Sequence, residues 1–326
     1  MTPPLTLCVS AGCPSGVGPE VAVRALSTFE APDVRVILVG DAGSLHDAAR
    51  AAGLRLQELP NVTVRAASEL PPHERVAGSP SGAGGRAQLA AVDLAADLCL
   101  AGAADAMVTG PVSKAAITAS GVPFFGHTEH LAARAGVGRV VMLFAGPALR
   151  TSLVTTHVSI SALPARVTRE AVRETIALTA AAMARDFALP RPRVAVSGLN
   201  PHAGEGGLLG REEIDVIAPA IDDARALCPG AEITGPVPAE AVFRHARDGR
   251  YDVVVAVYHD QATIASKLLD FGHAVNVTLG LPFVRTSVDH GTAYDIAGRG
   301  VADAGGMSAA LRLAASMARS RRPTVF

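Results

Sequence analysis

Three histidines occupy the same place in three separate apolar runs: His157 closes LRTSLVTTH, His202 follows RVAVSGLNPH, and His259 closes YDVVVAVYH. Residues just past the carboxyl ends of parallel strands line one ligand crevice even when they are far apart in the chain. Three neutral imidazoles suit a borderline-soft divalent ion such as zinc, and they leave a coordination position open for water or a substrate oxygen. An open position points to catalysis. Each histidine alone reads as a hydrogen-bonded residue at a strand end. Their shared placement favours a metal site.

Two further segments carry binding chemistry. GCPSGVGPE, residues 12–20, follows the first apolar run and precedes a helix, so its backbone N–H groups sit where an anion or polar ligand is well received. Its spacing, G-x-x-x-G-x-G, is not the dinucleotide fingerprint, and a tight structural turn explains it equally well. DHGTAYDIAGRGVAD, residues 289–303, is rich in small residues that permit close approach of a nucleotide, and Asp295 can accept from a ribose hydroxyl. By composition alone it also fits a polar turn leading into a helix.

The elements that must position these groups alternate along the chain. LTLCVS, VRVILVG, AMVTG, VVMLF, SLVTT, VAVSG and DVVVAVY are candidate strands, several of them apolar throughout, as in parallel sheets covered on both faces. Between them lie helical patterns at 86–100, 169–187, 212–227 and 307–320, the alternation of an α/β protein. Residues 71–85, rich in Pro, Gly and Ser, read as a surface loop. The 326 residues exceed what one core usually supports, so two lobes are expected. With 29 Lys plus Arg against 30 Asp plus Glu, the chain offers no broad field for nucleic acid or an acidic membrane surface, and any anion site must be local. The absence of a long apolar run, of a signal peptide and of paired cysteines predicts a cytoplasmic protein whose Cys8, Cys13, Cys99 and Cys228 stay reduced.

The segment HGTAYDIAG resembles the adenosine-binding stretch of isocitrate and isopropylmalate dehydrogenases. The whole chain resembles the 4-hydroxythreonine-4-phosphate dehydrogenases of pyridoxal phosphate biosynthesis. That resemblance runs through GCPSGVGPE, TGPVSK (109–114), FGHTEHLA (125–132), TTH (155–157), LNPHAGEGG (199–207), YHDQ (258–261) and NVTLGLPFVRTSVDHGTAYDIAG (276–298). It implies two α/β/α lobes with a cleft, one built from 1–120 plus 286–326 on the cofactor side, the other from 121–285. It also implies a homodimer whose active site is shared at the interface, and a metal, zinc, magnesium or cobalt, on His157, His202 and His259. We take His157 and His202 from one subunit and His259 from its partner. The positions matching His127, Thr128, Lys267, Asn276 and Arg285 are implied to bind the phosphorylated substrate, and His290, Gly291, Thr292, Ala293 and Asp295 to bind NAD or NADP.

These residue types suit those tasks. Arg285 offers a planar fork to a phosphate or carboxylate, Lys267 a compact charge, and His127, Thr128 and Asn276 further donors. Asp260 and Glu205 are placed to orient a ligand imidazole or carry a proton, with plain loop capping an equal alternative for both, and Lys267 is a candidate proton acceptor. The implied reaction oxidises the secondary hydroxyl of 4-phosphooxy-L-threonine to 2-amino-3-oxo-4-phosphooxybutanoate, a β-keto acid that then loses carbon dioxide. Some positions depart from the family pattern: Cys13 and Glu240 stand where Asp is usual, and YHDQATIASK lacks the usual Gly after Gln and the frequent Pro before Lys. The last departure keeps D-threonate 4-phosphate and D-erythronate 4-phosphate open as substrates. Cyclic dihydrodiol dicarboxylates fit less well, because GHTEH and LPFVRTS retain the phosphate pattern. A non-catalytic metal and phosphate-compound binder is the alternative of another class.

Overall fold

The computed structural model describes residues 3–322. Its strands are β1 (Leu5–Ser10), β2 (Val34–Asp41), β3 (Val62–Ser68), β4 (Ala106–Thr109), β5 (Val141–Ala145), β6 (Arg150–Leu153), β7 (Arg193–Ser197), β8 (Glu232–Val237), β9 (Val253–Ala256), β10 (Val275–Leu279) and β11 (Val284–Ser287). The helices are α1 (Gly18–Ser27), α2 (Ala42–Ala51), α3 (Gly82–Leu100), α4 (Lys114–Ala119), α5 (His127–Arg134), α6 (Leu163–Arg166), α7 (Arg169–Asp186), α8 (Ala218–Leu227), α9 (Ala239–Arg247), α10 (His259–Asp270) and α11 (Gly305–Arg321). The protein is an α/β fold of two compact units, one comprising residues 3–138 with 281–322 and the other residues 139–280.

In the first unit the strand order is β3-β2-β1-β4-β11 and every pairing is parallel. β4 and β11 are buried at every position, which requires cover on both faces. Helix α3 supplies cover along β1 to β4, while α11 lies against β1, β4 and β11 and packs on α1. Side-chain caps begin the helices: Asp41 accepts from Ser44 N–H for α2, and Ser81 from Gly84 N–H for α3. The Ser81 cap starts α3 inside the stretch 71–85 that composition assigned to a loop.

The second unit has the order β10-β5-β6-β9-β7-β8 and is mixed rather than parallel. β6, β9, β7 and β8 run parallel, whereas β10, β5 and β6 pair antiparallel. The reason is length. β5 and β6 are joined by residues 146–149 alone, with Gly146 N–H donating to Leu149 O at 2.9 Å, and so short a link makes a hairpin, not a crossover. Helix α7, capped by Thr168, packs on α8 and against β5, β6, β7, β9 and β10.

The division between units falls elsewhere than at 120 and 285. α5, expected in the second unit, belongs to the first because Leu131 is buried there and Arg134 grips Asp97 through two hydrogen bonds of 2.8 and 2.7 Å. His130 Nε2 meets Asp93 of α3 at 2.6 Å. Arg285 also lies in the first unit, in β11, where it pairs with Met107 of β4.

Candidate active site

The second unit carries the histidines. Beyond their ends, β6 and β9 keep pairing: Val154 N–H donates to Ala256 O, and Thr155 donates to Val257 O through both its backbone N–H and its Oγ1. The TTH and VYH segments therefore run side by side, and the rings of His157 and His259 stand 5.6 Å apart, tilted by 41°. Two imidazoles on one tetrahedral ion, with nitrogens about 2.1 Å from it, have centroids roughly 5 Å apart, so this pair has the spacing of two metal ligands. His259 opens α10, and its Nδ1 lies 2.7 Å from Asp260 Oδ1.

His202 is not part of that pair. Among the described residues of one chain, no three His, Cys, Asp or Glu side chains gather as a metal-binding group. The three strand-end histidines therefore do not converge within one chain, because the loop after β7 coils through the left-handed region at residues 202–206 and carries His202 on its own path. Its Nδ1 lies 3.0 Å from Glu240 Oε1. That carboxyl is held below its usual range by its own backbone N–H first and by His202 as well. An ionised carboxylate only accepts, so His202 donates from Nδ1, and Nε2 is the ring nitrogen that Glu240 does not engage. Glu205, which the sequence also offered as an orienting group, is exposed, and Glu240 is the carboxylate that meets His202. Gln261 ties the two loops at their roots: Val257 N–H donates to its Oε1 at 2.7 Å, and its Nε2 donates to Gly198 O at 2.8 Å.

Lys267 is exposed on α10, and Asn276 sits in β10 opposite Phe144, its Oδ1 buried without a hydrogen-bond partner. Departures from the family pattern in this helix point inward. Ala262 packs against Phe144, Leu153 and Ala256, and Ser266 is buried.

In the first unit, a cationic cluster surrounds the start of α5. Arg285 is 3% exposed and donates from Nη2 to Thr109 Oγ1 at 2.7 Å. Burial pushes its guanidinium down to about 10, with Glu129 acting in the opposite sense. Burial, then the charges of Arg285, His130 and Lys114, push the His127 imidazole well below its usual value, so it is neutral at pH 7. Its Nε2 is buried with no hydrogen-bond partner, an arrangement that calls for a ligand. Thr128 follows it in the first turn of α5. Lys114 Nζ lies only 3.4 Å from where a Cβ on Gly126 would stand. Thr109 and Lys114 bracket TGPVSK, yet a short loop motif does not reveal that β4 and α4 bring its two ends to one cluster.

The segment expected to hold a nicotinamide cofactor packs on the first Gly-rich turn. Val17 N–H donates to Thr292 O at 2.9 Å, and a Cβ on Gly16 would lie 2.8 Å from that oxygen. This glycine is required by backbone contact. Ala293 has φ 43°, Asp295 is exposed, and His290 Nδ1 lies 2.9 Å from Gly291 O. Cys13 is buried 3.3 Å from Tyr294 Oη, and burial pushes that phenol up to about 12.

Fold and homology together define the class, an α/β oxidoreductase. Residues 33–314 match the family model described as pyridoxal phosphate biosynthetic protein PdxA. A 4-hydroxythreonine-4-phosphate dehydrogenase of Xanthomonas oryzae pv. oryzae is 45% identical over 323 residues, 97% of this chain and 99% of that one. The crystal structure of 4-hydroxythreonine-4-phosphate dehydrogenase from Klebsiella pneumoniae superposes with a TM-score of 0.85 at 35% identity, covering 97% of this chain and 99% of that chain. A terephthalate 1,2-cis-dihydrodiol dehydrogenase from Burkholderia xenovorans LB400 gives 0.70 at 33% identity, covering 96% and 98%. The chain belongs to the PdxA family.

Proposed function

We propose that this chain catalyses the metal-dependent, NAD(P)-linked oxidation of the secondary hydroxyl of 4-phosphooxy-L-threonine to 2-amino-3-oxo-4-phosphooxybutanoate, with decarboxylation following. The observation that carries the reading is the buried Arg285 beside a neutral His127 whose Nε2 lacks a partner. A guanidinium shielded from water makes strong charge-assisted hydrogen bonds to an anion, and the substrate phosphate is the anion this one would meet. Arg285 gives the fork, and Thr128 and His127 add hydrogen bonds that fix the phosphate's orientation. Ala262 and Ser266 turn toward the core, so this departure from the family pattern alters packing rather than the substrate surface. That favours the phosphothreonine substrate over D-threonate 4-phosphate and D-erythronate 4-phosphate.

His157 and His259 of one chain, with His202 of a second copy, would hold the divalent ion. Carboxylates at Nδ1 of His259 and His202 leave Nε2 as the ligating atom in both, a nitrogen donor set that suits zinc or cobalt better than oxygen-preferring magnesium. When bound, the ion supplies Lewis-acid stabilisation of negative charge on the reacting oxygen. Residues 290–295 would hold NAD or NADP, which would supply the hydride acceptor. Lys267 takes the proton from the hydroxyl, Asp260 keeps the His259 ring in place, and Asn276 offers its amide to the substrate. The second copy is a homodimer partner. The segments bearing the histidines also expose large apolar side chains, with Leu208 84%, Leu268 80% and Phe271 79% exposed, as a surface covered by a partner would. No described helix is long and apolar enough to cross a membrane, and four free cysteines agree with a reducing cytoplasm.

The test is absorbance of reduced nicotinamide with the purified chain, NAD or NADP, each of the three metals, and the phosphothreonine, phosphothreonate and phosphoerythronate substrates in parallel. Highest kcat/KM on 4-phosphooxy-L-threonine is expected. Greater turnover of either sugar-acid phosphate would reassign the substrate, and no reduction with any pair of metal and cofactor would leave a binding protein.

A further inference from the structure

The loop that carries His202 holds an unusual backbone. Residues 202 to 206 are all left-handed, with φ of 51°, 52°, 83°, 45° and 65°, and three of them, His202, Ala203 and Glu205, have side chains that disfavour this region. Such a turn persists only where its surroundings over-determine it. Here the restraint centres on a buried carboxylate, with Glu212 beside it also accepting from Asn200 Nδ2, at 2.8 Å. Glu213, 3% exposed, accepts from Leu199 N–H and Asn200 N–H at Oε1, both at 2.7 Å, and from Asn200 Nδ2 at Oε2, at 2.9 Å. Gly204 lies against the same Oε2, where a Cβ would approach to 2.8 Å. Glu213 itself begins a single π turn, Glu213–Ile217, that runs into α8, so the carboxylate is fixed from behind by a regular element.

We propose that Glu213 is a positioning residue for the metal: its carboxylate locks the left-handed turn and thereby sets where His202 presents Nε2. This rests on His202 being a ligand. Glu213 does not touch the ion, so its effect travels through backbone geometry and appears as metal affinity rather than as a change in the chemical step. A carboxylate serving only to stabilise the fold would leave the affinity of the folded protein unchanged.

The experiment uses the full chain and cobalt or zinc. Metal affinity is measured by competition with a chromophoric chelator, and hydrogen exchange is followed across residues 198–210, for wild type, Glu213→Ala, Glu213→Gln and His202→Ala. Glu213→Ala should bind metal about 10- to 100-fold more weakly, exchange faster in that segment, and regain near wild-type kcat at saturating metal. Glu213→Gln keeps volume and one accepting oxygen but turns a donor toward Asn200 Nδ2, so it should lose less, roughly three- to tenfold. It decides the matter if the alanine variant does not fold. Wild-type metal affinity in the folded Glu213 variant, with His202→Ala impaired, overturns this inference and leaves the metal assignment standing. Wild-type affinity in His202→Ala overturns the metal assignment itself.

Discussion

Replacing Arg285 with Met separates the cost of a buried cation from its use. Burial brings the guanidinium from 12.5 to about 10, which at about 1.4 kcal/mol per pH unit disfavours the charged form by roughly 3.5 kcal/mol. Methionine fills much of the same space without a charge, so Arg285→Met should leave the melting temperature of the free protein unchanged or raise it. Function should move the other way. Losing a forked, charge-assisted contact to phosphate in a shielded site costs about 3–4 kcal/mol, a fall of roughly 10²- to 10³-fold in kcat/KM. Arg285→Lys retains charge but not the fork and should fall by at least about tenfold. Nicotinamide absorbance gives the rates. Thermal melts with inorganic phosphate give binding, since the anion should raise the wild-type midpoint and not that of the Met variant. A Met variant with wild-type kcat/KM, or one that also loses its phosphate-independent stability by several kcal/mol, would show that Arg285 is a structural residue.

Chelation should abolish turnover and added divalent metal should restore it, while His202→Ala should weaken metal binding strongly without unfolding the chain; intact metal content in that variant argues against the ligand assignment. Co-expressing His157→Ala with His202→Ala chains should recover about a quarter of wild-type activity, because in each mixed dimer one site collects both lesions and the other none. His157→Ala with His259→Ala should recover nothing, since those two rings share a chain and each mixed site keeps one lesion. The reverse outcome, with subunit exchange verified by two tags, would put His259 opposite His157 across the dimer. The His127 value in the folded protein lies below 6.5, so as pH falls the unfolded chain takes up the proton first. The stability conferred by the neutral ring is complete above pH 6.5 and is lost below it, by up to about 1.4 kcal/mol per pH unit. Urea titrations at pH 7.5 and 5.5 should show a larger loss for wild type than for His127→Gln, and equal losses would place the titrating group elsewhere.

All seven apolar runs appear as β1, β2, β4, β5, β6, β7 and β9, because strands covered on both faces write their burial directly into composition. The four strands missed are less uniform. β3 and β8 are edge strands with exposed positions, and β10 and β11 carry Asn276 and Arg285, polar side chains that interrupt the apolar pattern. The placement of the three histidines after β6, β7 and β9 was legible, but strand-end placement could not tell that His157 and His259 stand together while His202 lies apart. That depends on pairing continued beyond β6 and β9 and on the left-handed turn after β7, neither of which has a periodic signature. Glu240 was visible only as an oddity of sequence, and its role depends on α9 approaching the loop of His202.

The departures from the family pattern fall into two physical kinds, and the distinction bears on the chemistry. Ala262, Ser266 and Cys13 are buried, so their changes are absorbed by packing: Ala262 by Phe144 and Leu153, and Cys13 by the Tyr294 hydroxyl. Glu240 is exposed, and its longer side chain still reaches His202 at 3.0 Å. A longer carboxylate arm with more rotatable bonds gives up more freedom to hold the imidazole. The rigidity that it lacks is supplied from the other side of the loop, where Glu213 fixes the backbone at Leu199 and Asn200. His202 is thus set by a rigid main-chain clamp and a looser side-chain contact. Removing the clamp should cost more metal affinity than removing the contact, so Glu213→Ala should bind metal more weakly than Glu240→Ala, and the opposite ranking would make the side-chain contact the dominant constraint.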